Sequence, residues 1–197
     1  RCPEFYFTGL ENENFLILME DMTDYEVGNQ SVGATLAQTE LAIDELVKLH
    51  AAFWEKVDHL EWVPGIADSY HADNMNSLAN SGWDTMVETF GDFVPEHIRM
   101  QRDRFLAAIP ALQAEQMSAP ITLCHGDFRM ENLLYGVQPE HHPVAVIDWQ
   151  GPLKARGMFD VALFLGQSSQ VDVRQSYEKQ ILERYLDGLV TLGVKGL

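Results

Sequence analysis

The chain is 197 residues long and 46% hydrophobic, with ten Phe and four Trp, and carries a formal net charge of −17 at pH 7. That length and aromatic content fit one compact unit with a substantial core and exclude a disordered acidic polymer. The acidity argues against nucleic acid or an anionic membrane as partner, since both need Lys and Arg to neutralise phosphates; a cationic small molecule is compatible with it, and a solvated acidic surface explains it as well.

Glu4–Gly9 and Asn14–Met19 read as two short strands around the polar turn Glu11-Asn12-Glu13, and the second runs straight into Glu20-Asp21-Met22. Ser31 can cap a helix reaching about Val57, because Leu36, Ile43, Leu46, His50, Phe53, Trp54 and Val57 recur at three- and four-residue spacing. His50 on that apolar face reads as a packed core histidine rather than a ligand. Pro64 and Gly65 break the pattern. A second helical zone covers about Asn74 to Phe90, interrupted near Ser81-Gly82. Pro95 opens a third, with Ile98, Phe105, Leu106 and Ile109 on one face before Pro110. Ile121–Cys124 and Val144–Ile147 are short apolar strands, Phe159–Leu165 reads as a buried helix, and Val173–Leu189 as a terminal amphipathic helix carrying Tyr177, Ile181, Leu182, Tyr185 and Leu189. No internal repeat or long linker divides the chain, so one α+β unit rich in helix is expected. Cys2 and Cys124 are too few for a disulfide framework, no apolar run reaches the ~18 residues of a membrane span, and no signal-peptide pattern is present, so a soluble cytoplasmic protein is expected.

The chemistry-bearing residues gather at the two apolar strands. Asp127 and Asn132 lie five residues apart in one polar loop, and Asp148 follows Asp127 by 21 residues, at the end of Val-Ala-Val-Ile. A strand that delivers a carboxylate to its tip, beside a loop with a second carboxylate and a carboxamide, suits Mg²⁺ and a transferring phosphate. Gly126-Asp127 alone is ordinary turn chemistry, but the spacing to Asn132 and the flanking strands favour catalysis. Asp127 would orient an acceptor hydroxyl and take its proton, a modest demand because that hydroxyl becomes acidic only late in a loose transition state. Asn132 would offer Mg²⁺ a neutral oxygen and Asp148 an anionic one, offsetting phosphate charge.

His125-Gly126-Asp127 followed by Asn132, with Ile147-Asp148-Trp149-Gln150 downstream, resembles the aminoglycoside phosphotransferase and choline kinase-like family, small-molecule relatives of the protein kinases. Eukaryotic kinases carry H-R-D-x-x-x-x-N and D-F-G at these places. Here Gly126 stands for the Arg and Trp149-Gln150 for Phe-Gly, and both departures point to the small-molecule branch. The Asp-Trp-Gln form, with Leu49-His50-Ala51-Ala52-Phe53-Trp54 upstream, looks most like the ecdysteroid-kinase-like and general phosphotransferase subgroup. The matches run over roughly residues 15–166, with about a dozen diagnostic positions.

The resemblance implies a protein-kinase-like α+β fold, represented mainly by its helical C-lobe with a short hinge-side β-hairpin and a small catalytic-loop β-hairpin. Residues 1–22 would be the end of the N-lobe and the hinge, and 23–197 the C-lobe. It implies ATP and Mg²⁺ as cofactors and a small-molecule hydroxyl as acceptor. Backbone groups of Glu20, Asp21 and Met22 would bind adenine, with Met19 and the side chains around Leu133 and Ile147 as apolar walls. Arg129 would sit where many kinases carry a loop Lys reaching the γ-phosphate; an exposed surface Arg is the rival reading, and Glu131 is expected to be solvated. His125 is expected to brace the loop against the segment near Asp148, and Asp160 to brace it through backbone N–H bonds, neither touching substrate. Acceptor specificity is expected in the helical insert between about Val57 and Ala119. Its acids Asp84, Glu88, Asp92 and Glu96, with Trp83 and Phe93, would form either a wall for a cationic acceptor or a solvated face.

No Gly-rich phosphate loop, Lys-bearing strand or helix with its partner Glu precedes the hinge, and residue 1 is Arg, so a truncated chain is expected. A catalytically silent kinase-like binding or scaffold protein therefore stands beside the phosphotransferase reading. A metal-dependent hydrolase on His125, Asp127 and Asp148 is a third reading, but further ligands at metal spacing are wanting; His141-His142 in a Pro-flanked turn is a poor source.

Overall fold

The chain begins with an antiparallel hairpin of β1 (Phe5–Glu11) and β2 (Asn14–Met19), in a computed structural model that describes residues 1–197 apart from the side chains of Ser69 and Tyr70. Asn12 turns the hairpin at φ 55°, a left-handed conformation that its short polar side chain tolerates. Both faces of the hairpin are open: Phe7, Leu10, Phe15 and Leu16 are exposed.

Five further strands build two small sheets. β3 (Glu26–Val27), β5 (Leu133–Tyr135) and β6 (Val144–Val146) form an antiparallel sheet in the order β3-β5-β6, while β4 (Thr122–Cys124) pairs antiparallel with β7 (Leu153–Ala155). The two strands legible as apolar runs, β4 and β6, therefore do not pair with each other. Each takes a three-residue partner too short to show a period of its own, and packing rather than local propensity selects it.

Helix α1 (Leu36–Phe53) starts at Thr35 rather than Ser31. The Thr35 hydroxyl accepts from the Gln38 N–H while the Gln38 side chain accepts from the Thr35 N–H. Ser31 has Ala34 three residues on and can form no such reciprocal pair. The buried face of α1, including Ile43, Leu46 and His50, packs against α5 (Met158–Gln167) and α6 (Val171–Thr191). The same core takes in Leu133 and Val146 from the sheet and Phe128 and Met130 from the loop between β4 and β5, each 1% exposed or less except Val146 at 5%. Burying Phe128 and Met130 stabilises the loop by about 2–3 kcal/mol each, so Arg129 between them and Asp127 and Asn132 on either side hang from a fixed frame.

The helical insert comprises α2 (Ser69–Phe90), α3 (Glu96–Arg99) and α4 (Arg102–Gln116). Three details depart from the expected boundaries. α2 runs unbroken through Ser81-Gly82, because Ser81 Oγ donates back to the Ser77 carbonyl inside the helix and Gly82 costs a helix only about 1 kcal/mol. Pro95 starts a single turn, and the longer helix begins afresh at Arg102. That helix continues beyond Pro110 to Gln116, with the apolar Ile109 buried beside the missing N–H. Among the described residues no helix is long and apolar enough to cross a membrane.

Candidate active site

β4 ends at Cys124 and the chain turns at Gly126, whose φ of +87° is left-handed. A Cβ there would lie 2.0 Å from the Gly151 carbonyl oxygen, so the loop after β4 and the loop after β6 touch backbone to backbone. Gly126→Ala combines a disfavoured φ with this collision. It is expected to cost about 2–4 kcal/mol of stability, measured by urea unfolding, and an unchanged midpoint would contradict the close approach.

Asp127, Arg129 and Asn132 converge on one another. Asp127 Oδ2 accepts from Arg129 Nε and from Asn132 Nδ2, both at 3.1 Å, and Asn132 Nδ2 also donates to the Asp127 carbonyl at 2.8 Å. With two acceptors facing it, that end of the buried Asn132 carboxamide must be the NH₂, which turns Oδ1 outward. Among the described residues neither Asn132 Oδ1 nor Asp127 Oδ1 has a protein partner. Arg129 Nη1 also pairs with Glu131 at 3.1 Å, so Glu131 is not merely solvated, and the Arg129 guanidinium is tied to two carboxylates.

Asp148 stands beside this group. The Ile147 N–H donates to the Asn132 carbonyl at 3.0 Å, which brings the end of β6 against the loop. Asp148 itself has φ 63°, a left-handed conformation costing of order 1–3 kcal/mol for a residue with a Cβ, and its carboxylate is exposed. Two contacts hold that turn: Trp149 Nε1 donates to the Val146 carbonyl at 3.2 Å, and His125 Nε2 donates to the Ile147 carbonyl at 2.9 Å. His125 Nδ1 accepts from the Asp127 N–H at 3.3 Å. The two bonds select the neutral tautomer with hydrogen on Nε2, and the ring spans from the Asp127 loop to the Asp148 turn.

Asp160, in the first turn of α5 and fully buried, holds the start of the loop. Its Oδ2 accepts from the His125 N–H at 2.7 Å and its Oδ1 from the Gly126 N–H at 3.1 Å. His50 Nε2 lies 3.3 Å from Asp160 Oδ2, and His50 Nδ1 lies 2.8 Å from the Tyr185 hydroxyl. Burial, with the nearby Asp160 charge adding to it, pushes the Tyr185 hydroxyl up, so it stays protonated and donates to His50. His50, Cys124 and Asp160 bring potential ligand atoms within 4.8 Å of one another. They are not poised for a metal. Both oxygens of Asp160 serve the loop, both nitrogens of His50 are engaged, and burial followed by the Asp160 charge keeps the Cys124 thiol well above its ordinary range and protonated. The loop has one more anchor, which sequence reasoning missed: the Met130 N–H meets Gln30 Oε1 at 3.0 Å and Ser168 Oγ at 3.1 Å.

In the segment after β2, Glu20 N–H donates to the Glu4 carbonyl at 2.8 Å and the Met22 carbonyl accepts from Tyr25 N–H at 3.0 Å. The Asp21 carboxylate accepts from the Thr23 N–H at 3.0 Å, a bond that lowers its pKa, while Glu20 takes the Glu4 N–H and the Arg1 guanidinium. Among the described residues the Glu20 carbonyl and the Met22 N–H remain unbonded, an acceptor and a donor of the kind an adenine edge requires. Leu133 itself is fully buried in the main core, and strand alternation turns its neighbour Leu134 to the other side. Two of the four insert acids stand beside an Arg. Asp84 lies 3.4 Å from the Arg102 guanidinium and Asp92 3.5 Å from that of Arg99, and all four acids are exposed. Trp83 instead packs on Phe105, with ring centroids 5.7 Å apart, and Phe93 is exposed.

Residues 1–195 match the model of a family described as ecdysteroid kinase-like. The structure is similar to an aminoglycoside-3'-phosphotransferase of type VIII, with 18% identity and a TM-score of 0.54 over 100% of this chain and 68% of that one. It is similar to the Streptomyces rimosus aminoglycoside phosphotransferase APH(3'')-Id in complex with ADP and streptomycin, with 17% identity and a TM-score of 0.55 over 99% and 70%. A Plasmodium vivax ethanolamine kinase matches with 14% identity and a TM-score of 0.55 over 98% of this chain and 54% of that one. The fold is thus the α+β fold of the protein-kinase-like phosphotransferases. A comparison with curated protein sequences finds no match.

Proposed function

The chain belongs to the ecdysteroid kinase-like family, and from that premise we propose that it serves an ATP-dependent phosphotransferase acting on a hydroxyl of a small molecule. The observation that carries the reading is the division of labour within one carboxylate. Asp127 Oδ2 is anchored by Arg129 and Asn132, which fixes the side chain and leaves Oδ1 open to the acceptor hydroxyl. Held there, Asp127 orients the hydroxyl and takes its proton as the O–P bond forms. Arg129 keeps Asp127 in register, and its cationic charge lies where negative charge gathers on the transferring group. Nucleotide is held by the Glu20 carbonyl and the Met22 N–H, with Asp21 between them, and residues 1–22 act as the hinge side of the cleft. The ligands of the similar structures, ADP with streptomycin in one, support a nucleotide and small-molecule site of this kind.

The donor set fits Mg²⁺: an outward amide oxygen on Asn132 and an exposed carboxylate on Asp148, both hard oxygen ligands on adjoining strand ends. A bound Mg²⁺ would offset phosphate charge there, and the left-handed turn at Asp148, braced by His125 and Trp149, keeps its carboxylate in place. Asp148→Ala is expected to weaken Mg²⁺-dependent binding of ADP at least tenfold while leaving metal-free binding near its original value, measured by calorimetry with and without Mg²⁺. Unchanged metal-dependent affinity would overturn the assignment. The reading as a whole is tested by acceptor-dependent ATP consumption in the full-length protein against amino sugars, choline-like amines, sterols and sugar alcohols. Turnover with at least one class supports it; folded protein with no turnover supports a silent binding role instead.

A further inference from the structure

The catalytic loop is held at both ends by one short helix. α5 is ten residues long, about 15 Å. Asp160 in its first turn takes the His125 and Gly126 N–H groups, and Ser168 at its C-cap meets the Met130 N–H. The second attachment is a three-member knot. Gln30 Oε1 accepts from the Met130 N–H at 3.0 Å and from the Ser168 hydroxyl at 3.1 Å, and Gln30 Nε2 donates to the Gln167 carbonyl at 2.6 Å. Ser168 is fully buried, and its backbone is fixed as well, with its carbonyl accepting from the Ala34 N–H at 2.6 Å.

The segment carrying Gln30 is pressed onto the loop. The Gly28 N–H donates to the Leu133 carbonyl at 2.9 Å, and a Cβ on Gly28 would lie 2.2 Å from the Met130 carbonyl oxygen. Gln30 therefore reaches the loop from the chain that follows β3, while Ser168 reaches it from α5. Their shared target, Met130, follows Arg129 directly and begins the single 3-10 turn that ends at Asn132. Holding the Met130 amide fixes the phase of that turn, and with it the bonds from Arg129 and Asn132 to Asp127.

We propose that Gln30, acting with Ser168, is a positioning residue for the phosphotransfer reaction, setting the half of the loop that carries Arg129 and Asn132. The role rests on the phosphotransfer reading above, but the contact can be read without turnover. Gln30→Met keeps the length of the side chain and removes both the Oε1 acceptor and the Nε2 donor; Gln30→Glu keeps the Oε1 acceptor but turns a second oxygen towards the Gln167 carbonyl. In the full-length protein, Gln30→Met is expected to speed hydrogen exchange at the Met130 amide roughly fivefold and to lower kcat roughly tenfold, with KM for Mg-ATP within about twofold. Gln30→Glu, which keeps the acceptor for the Met130 amide and loses the bond to the Gln167 carbonyl, should exchange more slowly than Gln30→Met and recover part of kcat. Ser168→Ala combined with Gln30→Met should speed exchange further, and if that pair fails to fold the two single variants still decide. Unchanged exchange at the Met130 amide in Gln30→Met, or faster exchange there with kcat unchanged, would overturn the proposal. Faster exchange in Gln30→Met, with a wild-type protein that turns over no acceptor, would leave the brace standing and overturn the phosphotransfer reading.

Discussion

Replacing Asp127 by Asn is expected to lower acceptor phosphorylation about a thousandfold in the full-length protein while Mg-dependent ADP affinity stays within about threefold. The geometry makes Asn the informative substitution. Its carbonyl oxygen can occupy the place of Oδ2 and keep the bonds from Arg129 Nε and Asn132 Nδ2. The remaining NH₂ cannot take a proton from a hydroxyl. The loop should stay folded, anchored by Phe128 and Met130 in the core and by Asp160 at its start. A loss confined to kcat, with nucleotide binding intact, separates proton handling from folding. Parallel loss of both would assign Asp127 to the architecture of the loop instead.

Asp160→Ala is expected to cost about 4 kcal/mol of unfolding free energy, a large share of the roughly 5–15 kcal/mol that holds a domain of this size. The variant leaves the fully buried His125 amide and His50 Nε2, and the half-buried Gly126 amide, without their acceptor. Each unpaired buried donor costs of order 1–3 kcal/mol, and the three share one cavity, so the sum is less than additive. Asp160→Asn retains one acceptor and turns an NH₂ towards a donor, so about half of that loss is expected. Urea unfolding of the two variants checks the order, and a cost below about 1 kcal/mol for Ala would mean that water replaces the carboxylate.

Legibility in the sequence followed the kind of interaction involved. Asp127, Asn132 and Asp148 could be singled out because the phosphoryl transfer proposed for them demands particular side chains at fixed spacing beside apolar strands. The long helices were readable because Ile43, Leu46 and His50 repeat every three or four residues. Strands β5 and β7 were not: three residues show no period, and their pairing is decided by partners distant in the chain. The start of α1 depended on a reciprocal bond between Thr35 and Gln38 that a lone Ser31 only imitates. Which side chain around Leu133 faces a cleft was not legible, because a one-residue step along a strand reverses the face, and Leu133 itself points into the core. Gln30 and Ser168 carried no signal, being ordinary polar residues 138 positions apart. Only the fold brings them to one amide.

The most direct measurement is mass-spectrometric detection of phosphorylated acceptor after incubating the full-length protein with Mg-ATP and a panel of amino sugars, choline-like amines, sterols and sugar alcohols, with Asp127→Asn run in parallel. Wild-type protein is expected to add one phosphate to a hydroxyl of at least one acceptor class, and Asp127→Asn to add none detectable in the same time. ATP hydrolysis without a phosphorylated acceptor, or a phosphorylated acceptor formed equally by Asp127→Asn, would contradict the account.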